Sequence, residues 1–494
     1  MVFQNEILAG SSGSSASSVY KIDQSIRFND DDSAYMYRTP SQASSSQRAW
    51  SISFWTKRGN LTSGNRGLFA WEGVNDNQEV RLYFDDDVLH WSYYSDGYIC
   101  RAITNRLFRD VSAWYHILVV SDTENSNSSD RWRMYINGVR ETSFSATTFP
   151  SQNTNIAIFS STSYKTTIGR SRSSSASTYD GYIAEINVLD GYAYDPSYFG
   201  ETNENGIWVP KEYTGSYGTN GFYIKGADAS SLGADSSGNG NNFTTSGLAS
   251  HDQVADSPSN SFCTINTVAD INSTQNTISE GNLKSAGSSS LIWHISPCTH
   301  ILPSGKWYFE GRLNTTINAS RFAIGLIPTS PMLPANYGNL PSSVVNSSGF
   351  SLQLDSNTAG LLWYAYSGSG QYVTISVDTD NVGTIGQFAI DVDNQKIWAG
   401  INGTYYNSSG GGDGNPSTGS NPTYSGTSNF STKPLVPFIG NYYNSCQGVL
   451  NFGQDGTFAG TETAQGNSDG NGIGNFKYSV PSGFKAICTK NLGS

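Results

Sequence analysis

The amino-acid sequence predicts an all-β protein: two antiparallel, jelly-roll-like β-sandwiches in tandem, joined by an extended connector. Three observations predict it. Short apolar runs recur roughly every ten residues, the spacing of a sandwich or barrel. No stretch sustains a 3.6-residue period, so no amphipathic helix is expected. The composition is 13% aromatic but only 14% Asp, Glu, Lys and Arg, against a usual ~25%. Ser, Thr, Asn and Gly supply the remaining polarity, which suits strands and tight turns rather than helix surfaces.

The elements follow in order. Residues 1–19 form an apolar stretch (Val2, Phe3, Ile7, Leu8) followed by a Gly/Ser tract that reads as a flexible linker. Residues 20–200 hold the first set of strands. Trp50-Ser-Ile-Ser-Phe-Trp-Thr-Lys57 alternates, with Trp50, Ile52, Phe54 and Thr56 on one face. Runs at Val80–Phe84, Val88–Tyr93, Trp114–Val120 and Arg131–Ile136 follow, and Asn137-Gly138 marks a hairpin. Gly181–Leu189 closes the set. Residues 201–262 carry only short apolar islands, Trp208-Val-Pro210 and Gly221–Ile224, and read as a connector lying over the domains. Residues 263–494 return to strands, among them Gly305–Glu310, Phe322–Ile327, Gly386–Asp391, Lys396–Ile401 and Gly448–Phe452, with a second turn at Asn402-Gly403.

Charge and motifs exclude several classes. With 28 basic and 40 acidic residues the net charge is −12, which disfavours nucleic acid and anionic membrane as partners. No apolar run approaches the ~18 residues of a membrane span, and residues 1–18 lack the features of a signal peptide. The five cysteines, Cys100, Cys263, Cys298, Cys446 and Cys488, form no CxxC motif and read as buried free thiols. His294 and His300 flank Cys298, but no fourth metal ligand is evident. His116 reads as a packing residue. No nucleophile elbow, P-loop or dinucleotide fingerprint occurs.

Two family resemblances emerge from these residues. Ser25-Ile-Arg-Phe28, Trp50–Lys57, Trp114-Tyr-His-Ile117, Met134-Tyr-Ile-Asn-Gly138 and Gly181-Tyr-Ile-Ala-Glu-Ile186 resemble, in order and spacing, a concanavalin A-like sandwich of laminin-G type. Ser304-Gly-Lys-Trp-Tyr-Phe-Glu310, Ala323-Ile-Gly325, Ile390-Asp-Val-Asp-Asn394, Lys396-Ile-Trp398 and Val449-Leu-Asn-Phe-Gly453 resemble a SPRY-type sandwich. The pairing, with Met1–Leu8 and Pro481–Ala486, resembles fibre or appendage proteins of marine tailed phages. That resemblance implies a virion protein assembled in the host cytoplasm. It implies attachment to other virion proteins through the N-terminal segment, contact with a host-surface glycan or protein, and a homo-oligomer, usually a trimer. The chain has no heptads that would support a trimer independently.

Candidate sites divide into three. Trp91, Tyr93, Tyr94, Asp96 and Tyr98 in the first sandwich, and Asn441, Tyr442 and Tyr443 in the second, combine aromatic faces with amide and carboxylate groups, the mixture that holds a sugar; core packing competes for the aromatics. Asp30, Asp32, Asp85 and Asp87 lie in acidic turns, and laminin-G sandwiches often bind Ca²⁺ at such a rim; a solvated turn is the plainer reading. Glu185-Ile-Asn-Val-Leu-Asp190 is the nearest approach to a glucanase carboxylate pair, but the central acid is Asn187, and without a bulge residues 185 and 190 face opposite ways. The sequence thus points to a non-enzymatic surface-binding appendage, a tail or head fibre. A capsid decoration or vertex protein and a polysaccharide depolymerase are the alternatives.

Overall fold

Alternation along the strand Ala49–Arg58 sets the plan of the first sandwich. Trp50, Ile52 and Phe54 enter the core, and the Thr56 hydroxyl meets Tyr179 Oη inside it at 2.7 Å. The computed structural model describes residues 20–493 except 60, 62–63, 73–77, 157, 159–161, 163, 172–176, 270–275, 288–292, 316–320, 330–348, 356–359, 367–368, 376–380, 427–429, 431–433 and 443–445. The chain divides into two units between Ser259 and Asn260. The apolar stretch and linker of residues 1–19 lie outside the described residues.

In the first unit two eight-stranded antiparallel sheets face each other across one core. The Trp50 sheet runs, in order, Val139–Arg140, Trp132–Ile136, Tyr115–Asp122, Ala49–Arg58, Gly181–Asp190, Ser25–Phe28 and Gln253–Val254, with Phe222–Ile224 also paired to Gly181–Asp190. The Trp91 sheet runs Phe144–Thr148, Tyr98–Thr104, Val88–Ser95, Gln78–Asp85, Asn65–Glu72, Lys165–Ile168, Tyr35–Arg38 and Thr244–Ser246. Three indoles lock the sheets together. Trp91 stacks on Trp132 with centroids 3.5 Å apart, and Trp50 meets both edge-on at 5.8 and 5.7 Å. The hairpin at Asn137 and Gly138 has φ of 49° and 76°, the positive values that Asn and Gly tolerate.

The stretch read as a connector contributes strands to both sheets. Phe222–Ile224 and Gln253–Val254 pair within the Trp50 sheet, and Thr244–Ser246 pairs with Tyr35–Arg38 in the other. The same stretch supplies counter-charges. Lys57, fully buried, places Nζ 2.8 Å from Asp256, which also accepts from Trp114 Nε1 at 3.0 Å. Arg27, equally buried, lies 3.3 Å from Asp252.

A bulge interrupts Gly181–Asp190. Register shifts between Ala184 and Asn187, and Glu185 takes φ of 54°. The extra residue lets Ile183 and Ile186, three apart, both enter the core. Nearby, His116 is fully buried. Its Nδ1 accepts from Trp208 Nε1 at 3.1 Å, so its Nε2 carries the proton and donates to Ser53 Oγ at 2.9 Å. Burial pushes its pKa down to about 3.

In the second unit a nine-stranded sheet packs on a six-stranded one. Phe309 sits between Phe388 and Phe452, each at 5.4 Å, on the inner face of the larger sheet. A Cβ on Gly448 would fall 2.0 Å from the Phe322 ring, so only glycine admits that ring. Buried Glu310 anchors the late chain: its carboxylate accepts from the backbone N–H groups of Lys477 and Tyr478 at 3.0 and 2.9 Å and from Tyr308 Oη at 2.7 Å. Phe262 bridges Cys488, and the Cys263 amide donates to the Ile487 carbonyl at 3.0 Å, so the two ends of this unit lie side by side.

Two outcomes test these packing arguments. Asp256→Ala leaves Lys57 buried without its carboxylate and lowers stability by about 3–5 kcal/mol in urea titration. His116 has a folded-state pKa below the ordinary value of 6.5, so unfolding takes up a proton as pH falls. Its contribution is therefore full above about pH 6.5 and drains at up to about 1.4 kcal/mol per pH unit toward pH 3. His116→Gln is less stable near neutral pH, yet loses less stability than the parent between about pH 7 and about pH 5.

Candidate functional site

The strand Val88–Ser95 does two different jobs on its two faces. Leu89, Trp91 and Tyr93 point into the core, and Trp91 is only 1% exposed. Trp91 and Tyr93, candidates for sugar contact from the sequence, are therefore core residues, because they share the inward pleat. His90, Ser92 and Tyr94 alternate onto the outer face. After the bulge between Tyr93 and Tyr94, Tyr98 faces Tyr94 edge-on at 5.3 Å, with Tyr98 44% exposed. Asp96, with φ of 51°, sits exposed at the tip of that hairpin.

Register extends this outer face across the whole Trp91 sheet. Tyr37 opposes Thr167, Thr167 opposes Ala70, Ala70 opposes Arg81, Arg81 opposes Ser92, and Ser92 opposes Arg101. Thr167, Ala70 and Ser92 are small and lie buried beneath the longer side chains of this face. Cations lie over tyrosines around it: Arg170 over Tyr35 at 3.8 Å, Lys165 over Tyr37 at 4.5 Å, Arg81 over Tyr83 at 5.0 Å and Arg101 over Tyr98 at 4.7 Å. Such stacking is worth about 0.5–1 kcal/mol at exposed sites. Arg81 Nη2 also pairs with Glu79 at 2.7 Å. The Nε atoms of Arg81, Arg101 and Arg170 have no hydrogen-bond partner among the described residues.

His90 stacks on Tyr83 at 4.9 Å in the middle of this face. Burial lowers its pKa from the ordinary value, Asp85 opposes that shift, and Arg81 and Arg101 add to it. None of Arg81, Arg101, Lys165, Arg170, Tyr35, Tyr37 and Tyr83 stood out in the sequence. The alternation Val80-Arg-Leu-Tyr-Phe84 does place Arg81 and Tyr83 on one face, but which strands flank them is a matter of register that one sequence does not display.

The other candidates are placed differently. Asn441 is fully buried in its strand and donates to Ser285 Oγ at 2.7 Å. Tyr442 is half-buried and packs on Trp293 at 5.3 Å, while Tyr443 lies outside the described residues. Asp30 pairs with Arg66 at 2.9 Å, and Asp32 accepts from Asn29 Nδ2 at 2.9 Å. Asp87 holds Arg58 at 3.2 Å and Arg109 at 2.5 Å, and Asp85 lies 3.7 Å from His90. These carboxylates serve arginines and turns; among the described residues no three His, Cys, Asp or Glu side chains gather as metal ligands. All five cysteines are free and buried.

The Glu185 and Asp190 carboxylates are also committed. Glu185 accepts from Tyr20 Oη and Tyr223 Oη, each at 2.8 Å, and burial pushes its pKa up. Asp190 accepts from the amides of Ser45 and Asn220 at 2.8 and 2.9 Å. Even with the bulge they stay on opposite faces: Asp190 is in register with inward Trp50, whereas Glu185 meets tyrosines outside the core. A cleft of about 540 Å³ opens between the two sheet edges, lined by Trp132, Phe144, Phe149, Asp130 and Arg140. Of its two arginines, Arg140 is held by Asp130 at 2.6 Å and the Ser129 carbonyl at 2.7 Å, and Arg133 lies 3.9 Å from Asp122.

No curated protein matches the chain by sequence. Among solved structures it is similar to the heptameric SAP-like pentraxin of Limulus polyphemus, with 15% identity over 35% of this chain and 78% of that one, at a TM-score of 0.26. It is similar to domains LG4-5 of the mouse laminin alpha1 chain, with 9% identity over 89% of this chain and 91% of that one, at 0.29. It is similar to the SPRY domain of human HERC1, with 13% identity over 35% of this chain and 91% of that one, at 0.24. Residues 30–194, within the first unit, match the family model of the concanavalin A-like lectin/glucanases superfamily in its laminin-G form.

Proposed function

We propose that the protein is a non-catalytic surface-binding protein whose first sandwich holds glycan on the outer face of the Trp91 sheet. The observation that carries this reading is the layer of Tyr35, Tyr37, Tyr94, Tyr98, Arg101 and Lys165 side chains that stays accessible on the outer face of that sheet. Sugar C–H faces stack on such rings, and the Tyr hydroxyls with the Arg and Lys groups fix the sugar hydroxyls. The lectin-type family match over residues 30–194 supports it. So does the commitment of Glu185 and Asp190 to structural hydrogen bonds, since a depolymerase at that motif needs both carboxylates in one cleft.

The biological setting we propose is a virion appendage, a tail or head fibre that touches the host surface as a homo-oligomer and attaches through its N-terminal segment. The support is the residue-level resemblance at Met1–Leu8, Pro481–Ala486 and the two sandwiches. Purified protein tests the reading on a glycan array and on host cells, with and without EDTA. Saturable binding is expected, and it persists in EDTA because Asp30 and Asp87 are held by arginines. Tyr98→Ala weakens it about three- to tenfold, the loss of one stacking contact. Particle association with no binding to cells or glycans would instead establish a purely structural decoration protein.

A further inference from the structure

We propose that Cys263 and Cys298 are a peroxide-sensitive thiol pair that closes to a disulfide when the protein meets an oxidant, stapling the first residues of the second unit to the segment that follows the strand His294–Pro297. The contact between the two thiols carries the proposal, which is independent of the glycan reading. Both lie in the core of the second unit, and the Cys263 sulfur accepts from the Cys298 thiol, the His300 imidazole and the His300 backbone N–H. The Thr299 hydroxyl stands 3.9 Å from the same sulfur and 3.0 Å from His300 Nδ1. The backbone fixes both partners. The Cys263 amide donates to the Ile487 carbonyl at 3.0 Å, and the Cys263 carbonyl accepts from Gln454 Nε2 at 2.8 Å. The Cys298 amide donates to the Pro437 carbonyl at 2.8 Å. The two segments pair directly: Thr299 N–H donates to the Thr264 carbonyl and Asn266 N–H to the Pro297 carbonyl, each at 2.8 Å, with Ile265 bridged to Cys298.

The remaining cysteines supply the contrast. The sulfurs of Cys100, Cys446 and Cys488 meet backbone groups of Tyr93, Tyr442 and Asn491, and burial pushes all three thiols up, to about 12 for Cys446 and about 11 for Cys488. At Cys263 burial pushes the same way, yet the hydrogen bonds from Cys298 and His300 prevail and hold the thiol well below its ordinary value. Burial, then Cys263, raises Cys298. The pair thus holds one thiol suited to attack and one that keeps its proton to resolve the product. Access differs too: Cys298 and His300 retain 4% and 5% exposure, whereas Cys100, Cys446 and Cys488 retain none, so a small oxidant has a route only to the pair.

Hydrogen peroxide balances the chemistry. Cys263 passes its proton to His300, and its sulfur attacks one peroxide oxygen. The O–O bond breaks, the departing hydroxide recovers the proton from His300 as water, and Cys263 becomes a sulfenic acid. The Cys298 sulfur then attacks the Cys263 sulfur. The S–S bond forms, the S–O bond breaks, and hydroxide leaves with the Cys298 proton as a second water. Two thiols lose two electrons and one peroxide gains them. The closed ring restricts the unfolded chain, which favours the folded unit.

The test treats the full-length reduced protein with hydrogen peroxide at neutral pH, removes the peroxide, denatures the chain and labels the remaining thiols with N-ethylmaleimide. Of the five cysteines, Cys100, Cys446 and Cys488 are expected to be labelled, and peptide mapping finds Cys263 joined to Cys298 until dithiothreitol is added. The urea midpoint rises on oxidation and returns on reduction. Cys298→Ser forms no cross-link and leaves Cys263 as a sulfenic acid that dimedone captures, whereas Cys100→Ser cross-links as the parent does. Mapping of the parent alone decides the pairing, so a poorly folded C298S does not blunt the test. Labelling of all five thiols after treatment, linkage of any other pair, or oxidation of Cys263 to sulfinic acid without a cross-link overturns the thiol pair. A cross-linked protein whose urea midpoint does not rise overturns the staple.

Discussion

The first sandwich depends on a buried ion pair between residues 199 positions apart, Lys57 and Asp256. Lys57 lies on the central strand of the Trp50 sheet, on the face turned away from the main core, where bare burial of an ammonium would cost several kcal/mol. Asp256 resolves that cost and binds the Trp114 indole as well. Arg27 and Asp252 repeat the device two strands away, across Tyr182 of the strand between. Neutralising these cations requires the chain that follows the last long strand to return across the sheet. That return path brings Phe222–Ile224, Thr244–Ser246 and Gln253–Val254 into pairing positions. The late segment is thus part of the domain rather than a tether.

Most of the architecture was legible in the sequence because alternation is a local signal. Trp50, Ile52 and Phe54 announced the inner face, and Asn137-Gly138 announced its hairpin. The fate of residues 201–259 was not legible, since their partners are two hundred positions away and their strands are only two or three residues long. The bulge at Glu185 left a trace in the spacing of Ile183, Ile186 and Val188, which breaks a period of two; seeing it required knowing that all three face the core. In the aromatic hairpin the residue types were informative but their direction was not. Trp91 and Tyr93 share a pleat, and only the opposite pleat, with Tyr94, reaches the surface.

The candidate face shows why burial and function are easily confused in such a sheet. Ala70 and Thr167 have no exposed surface although they lie on the outer side. Long neighbours stand over them, so the accessible surface of this face is made by the larger side chains of the layer alone. Its electrostatics arise in the same way. Each arginine is fixed by a ring beneath it rather than by a full complement of carboxylates, which preserves its charge at little cost in rotamer freedom.

In the second unit, the bridge between Phe262 and Cys488 is extended by hydrogen bonds between Ser261 and Thr489 and between Cys263 and Ile487. These contacts hold the short strand Lys485–Ala486 in parallel register beside Trp307 and Tyr308. Losing residues 260–263 would therefore unseat a strand more than two hundred positions later, so the two ends of the unit must assemble together.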